Sequence, residues 1–244
     1  MAARPVPYFT PATFQFLRSL ARNNRRDWFH THKGAYDTEV KAPCLRLIGD
    51  LAEPLRAISP ELMASTRTVG GSLFRIHRDT RFASDKRPYK THVGMSFYHL
   101  ATKAVARGVG GTAALGRLDA PGLYLHLEPG DSFVGGGLWH PQPPTLKRIR
   151  DYLVDNPRTW KSITRDKAFR RVYELGGDTL TRPPRGYNPA HELIEDLKRK
   201  DFVTASALSD EQLMRADLLK VLVRRYRVMR PLLEYLCGAL ELDL

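Results

Sequence analysis

The sequence predicts an α+β fold, a central antiparallel sheet with N-terminal and C-terminal helices packed on one face. Three observations predict it. Apolar residues recur at helical spacing through residues 10–60. They alternate with polar residues through 67–141, and they return to helical spacing over 142–244. Segregated elements of this kind argue against a parallel sheet built with crossover helices. With ~150 residues typical of a domain, the 244 residues are read as a single α+β domain over 1–244.

Each element has a local reason. Thr10-Pro11 is a helix start, a hydroxyl cap followed by proline where no N–H is missed. Phe14, Leu17 and Leu20 follow at helical spacing, and Asn23-Asn24 is a stop, because Asn tolerates the left-handed conformation. Asn24 is also expected to cap a short helix carrying Asp27, Trp28 and Phe29. Leu45, Ile48, Leu51, Leu55 and Ile58 form a second stripe, which Pro43 either starts or kinks. Leu73 to His77, His92 to Tyr98 and Leu123 to Glu128 alternate as strands. Pro129-Gly130-Asp131 is a turn, and Ser132 to Leu138 returns as a hairpin partner whose Gly135-Gly136-Gly137 makes a bulge or a close backbone approach. Residues 101–120 read as a Gly- and Ala-rich loop. After Pro141, Leu146, Ile149, Leu153 and Val154 form a helical stripe, continued in short pieces by Trp160, Ile163, Phe169 and Val172. Asn188-Pro189 repeats the cap-plus-proline start. Ser209 with Gln212 is a capping box before a last long helix, which Pro231 should kink or restart.

Composition narrows the class. Hydrophobic residues at 42% and charged residues at 27% suit a folded protein. No apolar run approaches the ~18–20 residues that span a bilayer, and the first residues lack the apolar core of a secretory signal. Two cysteines, Cys44 and Cys237, exclude a disulfide scaffold and a four-cysteine zinc site, and both read as buried, inert thiols. A cytoplasmic protein with no membrane partner is expected. The net charge is +13, and ten of those charges fall in residues 67–92 and 142–175. A concentrated basic field attracts phosphates, nucleic acid or acidic metabolites.

The run Phe74-Arg-Ile-His-Arg-Asp-Thr-Arg-Phe-Ala-Ser-Asp-Lys-Arg-Pro-Tyr-Lys90 carries a resemblance. Further blocks extend it: Asn23-Asn24 to Trp28-Phe29 with Lys33 and Tyr36, Pro121-Gly122 to His126 and on to Gly137, and Arg182 to Tyr187 and on to Lys200. The chain resembles a widespread bacterial and fungal conserved-domain family. No reaction is assigned to that family, so the resemblance implies none. The family often has Ser after the Arg-Phe pair, where this chain has Ala83 and then Ser84.

Strand alternation separates two faces. One takes Phe74, Ile76, Val93, Met95, Phe97, Leu123, Leu125 and Leu127. The other takes Arg75, His77, His92, Gly94, Ser96, Tyr98, Tyr124, His126 and Glu128. If the strands are neighbours in register, that second face is a pocket for a phosphate-bearing or otherwise anionic small molecule. Arg75, Arg78, Arg81, Lys86 and Lys90 would hold the anion. His77, His92, His126 and Glu128 are the acid–base candidates, and Tyr89, Tyr124 and Trp139 are walls. The plainer alternative is that Asp79 and Asp85 pair with the neighbouring bases and hold the loop in shape. Three histidines with a carboxylate also suit a transition metal, but they come from separate strands, so the sequence assigns no metal and no cofactor. His191-Glu192 to Glu195 and Gly108 to Gly111 miss the zinc-protease and phosphate-loop patterns. A second reading is a non-catalytic nucleic-acid-binding module using both basic segments, the second being Lys147, Arg148, Arg150, Arg158, Lys161, Arg165, Lys167, Arg170 and Arg171. A third is a structural or partner-binding protein.

Overall fold

The structure is a computed structural model and describes residues 6–81, 84–102 and 119–244. Ala83 and most of the Gly- and Ala-rich loop lie outside the described residues. The fold is α+β, as its sequence predicts.

Helix α1 (Pro11–Arg22) starts at the Thr10-Pro11 signal, where the Thr13 hydroxyl accepts from the Thr10 N–H at 3.2 Å and donates to the Glu39 carbonyl at 2.8 Å. Asn23 ends it by a different device from the one expected. Its φ is −122°, and its side-chain amide donates to the Ser19 carbonyl at 3.0 Å. Asn24 does not cap α2 (Arg26–Thr31), whose N-cap is Arg25. Its side chain reaches across the fold instead. The Asn24 amide donates to the Tyr89 carbonyl at 2.9 Å and its oxygen accepts from the Tyr89 N–H at 3.0 Å, as a neighbouring strand would. Next, α3 (Lys33–Tyr36) passes through a π-helical stretch, Asp37–Lys41, into α4 (Ala42–Arg56). Pro43 stands in the first turn of α4 directly after the π-helical stretch, so the chain is already helical when it reaches the proline.

The described strands are β1 (Leu62–Met63), β2 (Val93–His99), β3 (Gly122–Leu127), β4 (Ser132–Leu138), β5 (Glu174–Gly176) and β6 (Phe202–Leu208). They form one sheet in the order β1-β2-β3-β4-β6-β5, and every neighbouring pair is antiparallel. Strands β5 and β6 interrupt the stretch expected to be helical. Thr204, Ala205, Ser206 and Ala207 make β6 a weakly alternating strand, whose pairing to β4 outweighs its local pattern. The glycine triplet is a close approach. A Cβ at Gly135 would lie 2.6 Å from the Thr204 carbonyl oxygen, and one at Gly136 2.5 Å from the Met229 sulfur.

Further helices among the described residues are α5 (Pro143–Asp155), α6 (Pro157–Thr164), α7 (Lys167–Val172), α8 (Ile194–Leu197), α9 (Asp210–Leu213) and α10 (Leu218–Ala239). The capping box before α9 is formed by Ser209 and Gln212. Val154 departs from the predicted α5 stripe and is exposed. Pro231 neither ends nor restarts α10, which runs through it. It sits on the exposed side, while Met229, Leu232 and Leu233 are fully buried. Their burial offsets the ~3 kcal/mol that an interior proline costs a helix.

Val93, Met95, Phe97, Leu123, Leu125 and Leu127 are all buried on one face of the sheet. Helix α10 meets that face, with the Tyr226 ring edge-on to Phe97 at 5.9 Å and the Tyr226 hydroxyl donating to the Tyr124 carbonyl at 3.3 Å. Cys44 and Cys237 are free and buried, and burial pushes both thiols up to about 12. Among the described residues no helix is long and apolar enough to cross a membrane.

Candidate functional site

The opposite face of β2 and β3 carries the candidate site. The register pairs Val93 with Leu127, Gly94 with His126 and Ser96 with Tyr124. Directly opposed residues share a face, so His92 comes beside His126 and Glu128, as strand alternation places them. The imidazoles of His92 and His126 lie 4.4 Å apart, centre to centre. His126 Nε2 is 3.0 Å from Glu128 Oε2, and His92 Nδ1 is 4.0 Å from the same oxygen. The Thr91 hydroxyl donates to Glu128 Oε1 at 3.0 Å. The Tyr124 hydroxyl meets His126 Nδ1 at 3.2 Å. With Nε2–H directed at the carboxylate, Nδ1 accepts from Tyr124, and the result is one hydrogen-bonded chain, Tyr124–His126–Glu128–Thr91.

Neighbours fix that chain in place. Phe133 stacks on His126 at 4.7 Å and 9°, because β4 pairs His126 with Phe133. Gly94 leaves room for the Tyr124 ring to lie over β2. A Cβ there would fall 2.6 Å from the Tyr124 oxygen and 2.9 Å from Phe74. Thr91 and Phe133 were not singled out by sequence, and Gly94 was placed on this face without a role. The hairpin turn with its Ser132 partner held the signal for Phe133, since it sets which β4 residue faces His126.

The electrostatics favour an ionised Glu128 and an uncharged His92. Burial opposes ionisation of Glu128, but hydrogen bonds from His126 and Thr91 and the nearby imidazoles outweigh it and hold its carboxyl below the usual range. Burial first, then His126, Lys90 and Arg78, lower the His92 pKa against the pull of Glu128. Burial and Arg75 lower that of Lys90. Burial, helped by the Glu128 charge, pushes Tyr124 up to about 12, so it stays a hydroxyl donor.

The cationic residues divide into two groups. Lys90 lies over the Phe74 ring, 5.4 Å from its centre. Neither Lys90 nor Arg75 forms an ion pair among the described residues. In contrast, Arg78 is bound to Asp85 at 2.5 Å, Asp85 also takes Arg87 at 2.7 Å, and Arg81 is held by Asp79 at 2.7 Å. Lys86 donates to the Thr80 carbonyl at 3.0 Å. The two aspartates therefore shape the basic loop.

Several expected members lie elsewhere. The segment 73–77 is not a regular strand. It touches β2 through a bridge at Leu73–Met95 and its continuation through one at His77–Tyr89. The bridges are four positions apart on one side and six on the other, so two extra residues bulge out between Tyr89 and Met95. Leu73 stands opposite Met95 on the core face, so the next residue, Phe74, falls opposite Gly94 on the polar face, 6.1 Å from Tyr124 and nearly half exposed. His77 turns away to Phe29 and Tyr89, at 6.2 and 5.1 Å. There it joins a separate groove of about 610 Å³ with Arg26, His30 and Lys33. Tyr89 is buried and stacked on Phe29 at 4.1 Å, not a wall of the histidine cluster. Trp139 is exposed against His140 and follows the Leu138 end of β4, whereas Phe133 and the cluster lie at the other end.

A family model described as a conserved hypothetical protein (DUF2461) matches residues 12–235. The chain belongs to that family. The DUF2461 match spans β2, β3 and the loop before them, and so includes every residue of the cluster. Comparison with curated proteins and with solved structures gives no match.

In the second basic segment of this DUF2461 chain, Lys147 pairs with Asp151 at 2.6 Å and Arg148 with Glu241 at 2.9 Å, while Lys161 pairs with Glu192. Arg150 donates to the Leu197 and Arg199 carbonyls at 2.7 and 2.9 Å. Those four side chains serve the fold.

Proposed function

We propose that the polar face of β2 and β3 binds a small anionic, phosphate-bearing or carboxylate ligand beside a set of acid–base groups. The observation that carries this reading is the Tyr124–His126–Glu128–Thr91 chain, with His92 against it and Lys90 bordering it without a carboxylate partner. Lys90 and Arg75 supply attraction for the anion, and Arg78, paired with Asp85, adds a weaker field. His92, His126 and Glu128 exchange protons with the bound molecule, and Tyr124 orients His126 through its hydrogen bond. Arg81 and Lys86 act through the shape of the loop. His77, Tyr89 and Trp139 take no part. The reading keeps the protein in the cytoplasm, where two free thiols persist.

A thermal-shift series at low salt tests it, with phosphate, nucleotides, sugar phosphates and short oligonucleotides as separate additives. A ligand at about 100 times its Kd adds roughly 2.7 kcal/mol to native stability, so binding raises Tm by several degrees. The expected result is a shift with a small anion that Lys90→Met abolishes. A shift with oligonucleotides alone, removed by moderate salt, refutes the small-ligand reading in favour of a nucleic-acid surface. No shift with any additive refutes both.

A further inference from the structure

We propose that His92, His126 and Glu128 form a facial binding site for one divalent transition-metal ion. The three residues offer two imidazole nitrogens and one carboxylate oxygen, all within 4.8 Å of one another. The donors are His92 Nδ1, His126 Nε2 and Glu128 Oε2, with Oε2 common to the 3.0 and 4.0 Å separations. An ion bound at about 2.1 Å to each donor needs donor–donor distances of roughly 3.0–3.4 Å. The 3.0 Å pair already satisfies that, and a rotation of the partly exposed His92 ring brings in the third donor. Two imidazoles with one carboxylate select ions of the zinc, cobalt, iron and manganese kind over magnesium or calcium, which take oxygen donors.

The surroundings are those of a ligand set rather than of three incidental polar groups. Metal-binding imidazoles direct their other nitrogen to a fixed partner, and metal-binding carboxylates are themselves hydrogen-bonded. With an ion on His126 Nε2 the ring proton lies on Nδ1 and is donated to the Tyr124 oxygen, while the Thr91 hydroxyl occupies Glu128 Oε1, leaving Nε2 and Oε2 to the ion. Phe133 holds the His126 ring plane. The donors sit on adjacent paired strands, so their spacing is set by sheet register. All three come from one side, with the His92 and Glu128 side chains about one-third exposed, so further coordination positions open toward solvent. Lys90 and Arg78 oppose a bare dication, and the single Glu128 charge offsets only half of it. The open positions therefore favour an anionic ligand. That last step rests on the anion reading above; the metal site itself does not.

The test uses the full chain stripped with a chelator, then titrated with Zn2+ alone in phosphate-free buffer and followed by calorimetry. Co2+ in place of Zn2+ reports the donor set through its visible absorption. The expected result is one ion per chain. His92→Gln and Glu128→Gln should weaken binding by more than the roughly 10- to 100-fold that loss of an outer partner costs, and Tyr124→Phe by about that range. Tyr124→Phe removes one hydroxyl, so it stays informative if a ligand variant fails to fold. Absence of stoichiometric binding overturns the proposal, as does binding that survives all three substitutions. Phosphate binding in the presence of chelator, with no metal binding, overturns the metal site while sparing the anion reading. Metal binding with no response to any anion does the reverse.

Discussion

Replacing Asn24 with alanine removes a cross-link between residues 65 positions apart. In the native fold the Asn24 amide and carbonyl oxygen satisfy the Tyr89 carbonyl and N–H at 2.9 and 3.0 Å, and both residues are buried. Alanine leaves that donor and acceptor without partners. Each stranded buried group costs ~1–3 kcal/mol, so we expect a loss of about 2–4 kcal/mol once some water entry is allowed. For a chain of this size that lowers Tm by roughly 5–15 °C. Denaturant unfolding measures the loss directly, and an unchanged m-value identifies it as native-state destabilisation. The consequence reaches the site, because Tyr89 leads directly into Lys90, Thr91 and His92. Hydrogen exchange should accordingly show faster opening of residues 88–92 than of α4. A loss under about 0.5 kcal/mol, the range of a featureless surface change, would refute the reasoning.

The other perturbations are simpler. Gly94→Ala puts a Cβ 2.6 Å from the Tyr124 oxygen, which should displace that hydroxyl from His126 at a cost of ~1–3 kcal/mol. An unchanged His126 imidazole resonance in the variant would count against it. Burial raises the pKa of Tyr8, Tyr36, Tyr124, Tyr173, Tyr187, Tyr226 and Tyr235 above 10.0, with added contributions from neighbours such as Asp50 beside Tyr8. A raised phenol pKa stabilises the fold fully below the unfolded value and loses that contribution as pH rises toward the folded one. Stability should therefore fall from pH 10 upward, with most phenolate absorbance appearing only on alkaline unfolding; gradual ionisation of the folded protein at pH 10 would contradict this. Ser209→Ala removes the side-chain acceptor of the capping box at α9 and should cost ~1 kcal/mol, measured by the shift in denaturation midpoint.

Much of the fold was legible because its signals are local. Thr10-Pro11, the Ser209–Gln212 box and the alternation through 93–98 and 123–127 each carry their own cause within a few residues. The two polar faces met as expected because β2 and β3 keep strict alternation up to the residues that matter. What escaped was set by distant partners. Asn24 reads as a cap until Tyr89 is beside it. Strand β6 has too few large apolar residues to announce itself, and only β4 explains it. The Leu73–Met95 bridge sets the register of residues 73–77 one residue away from the one their apolar pattern suggests, which puts Phe74 on the polar face and His77 off it. Pro231 marks a break in sequence that burial on both sides of it overrides.

Assigned imidazole resonances of the eight histidines, followed during titration with phosphate at low salt and with chelator present, test the ligand site most directly. The account predicts that His92 and His126 move together along one saturating curve while His77, in its separate groove, and His140, beside Trp139, stay still, and that Lys90→Met flattens the response. Saturable movement at His77 with His92 and His126 unmoved would place the anion elsewhere and contradict it.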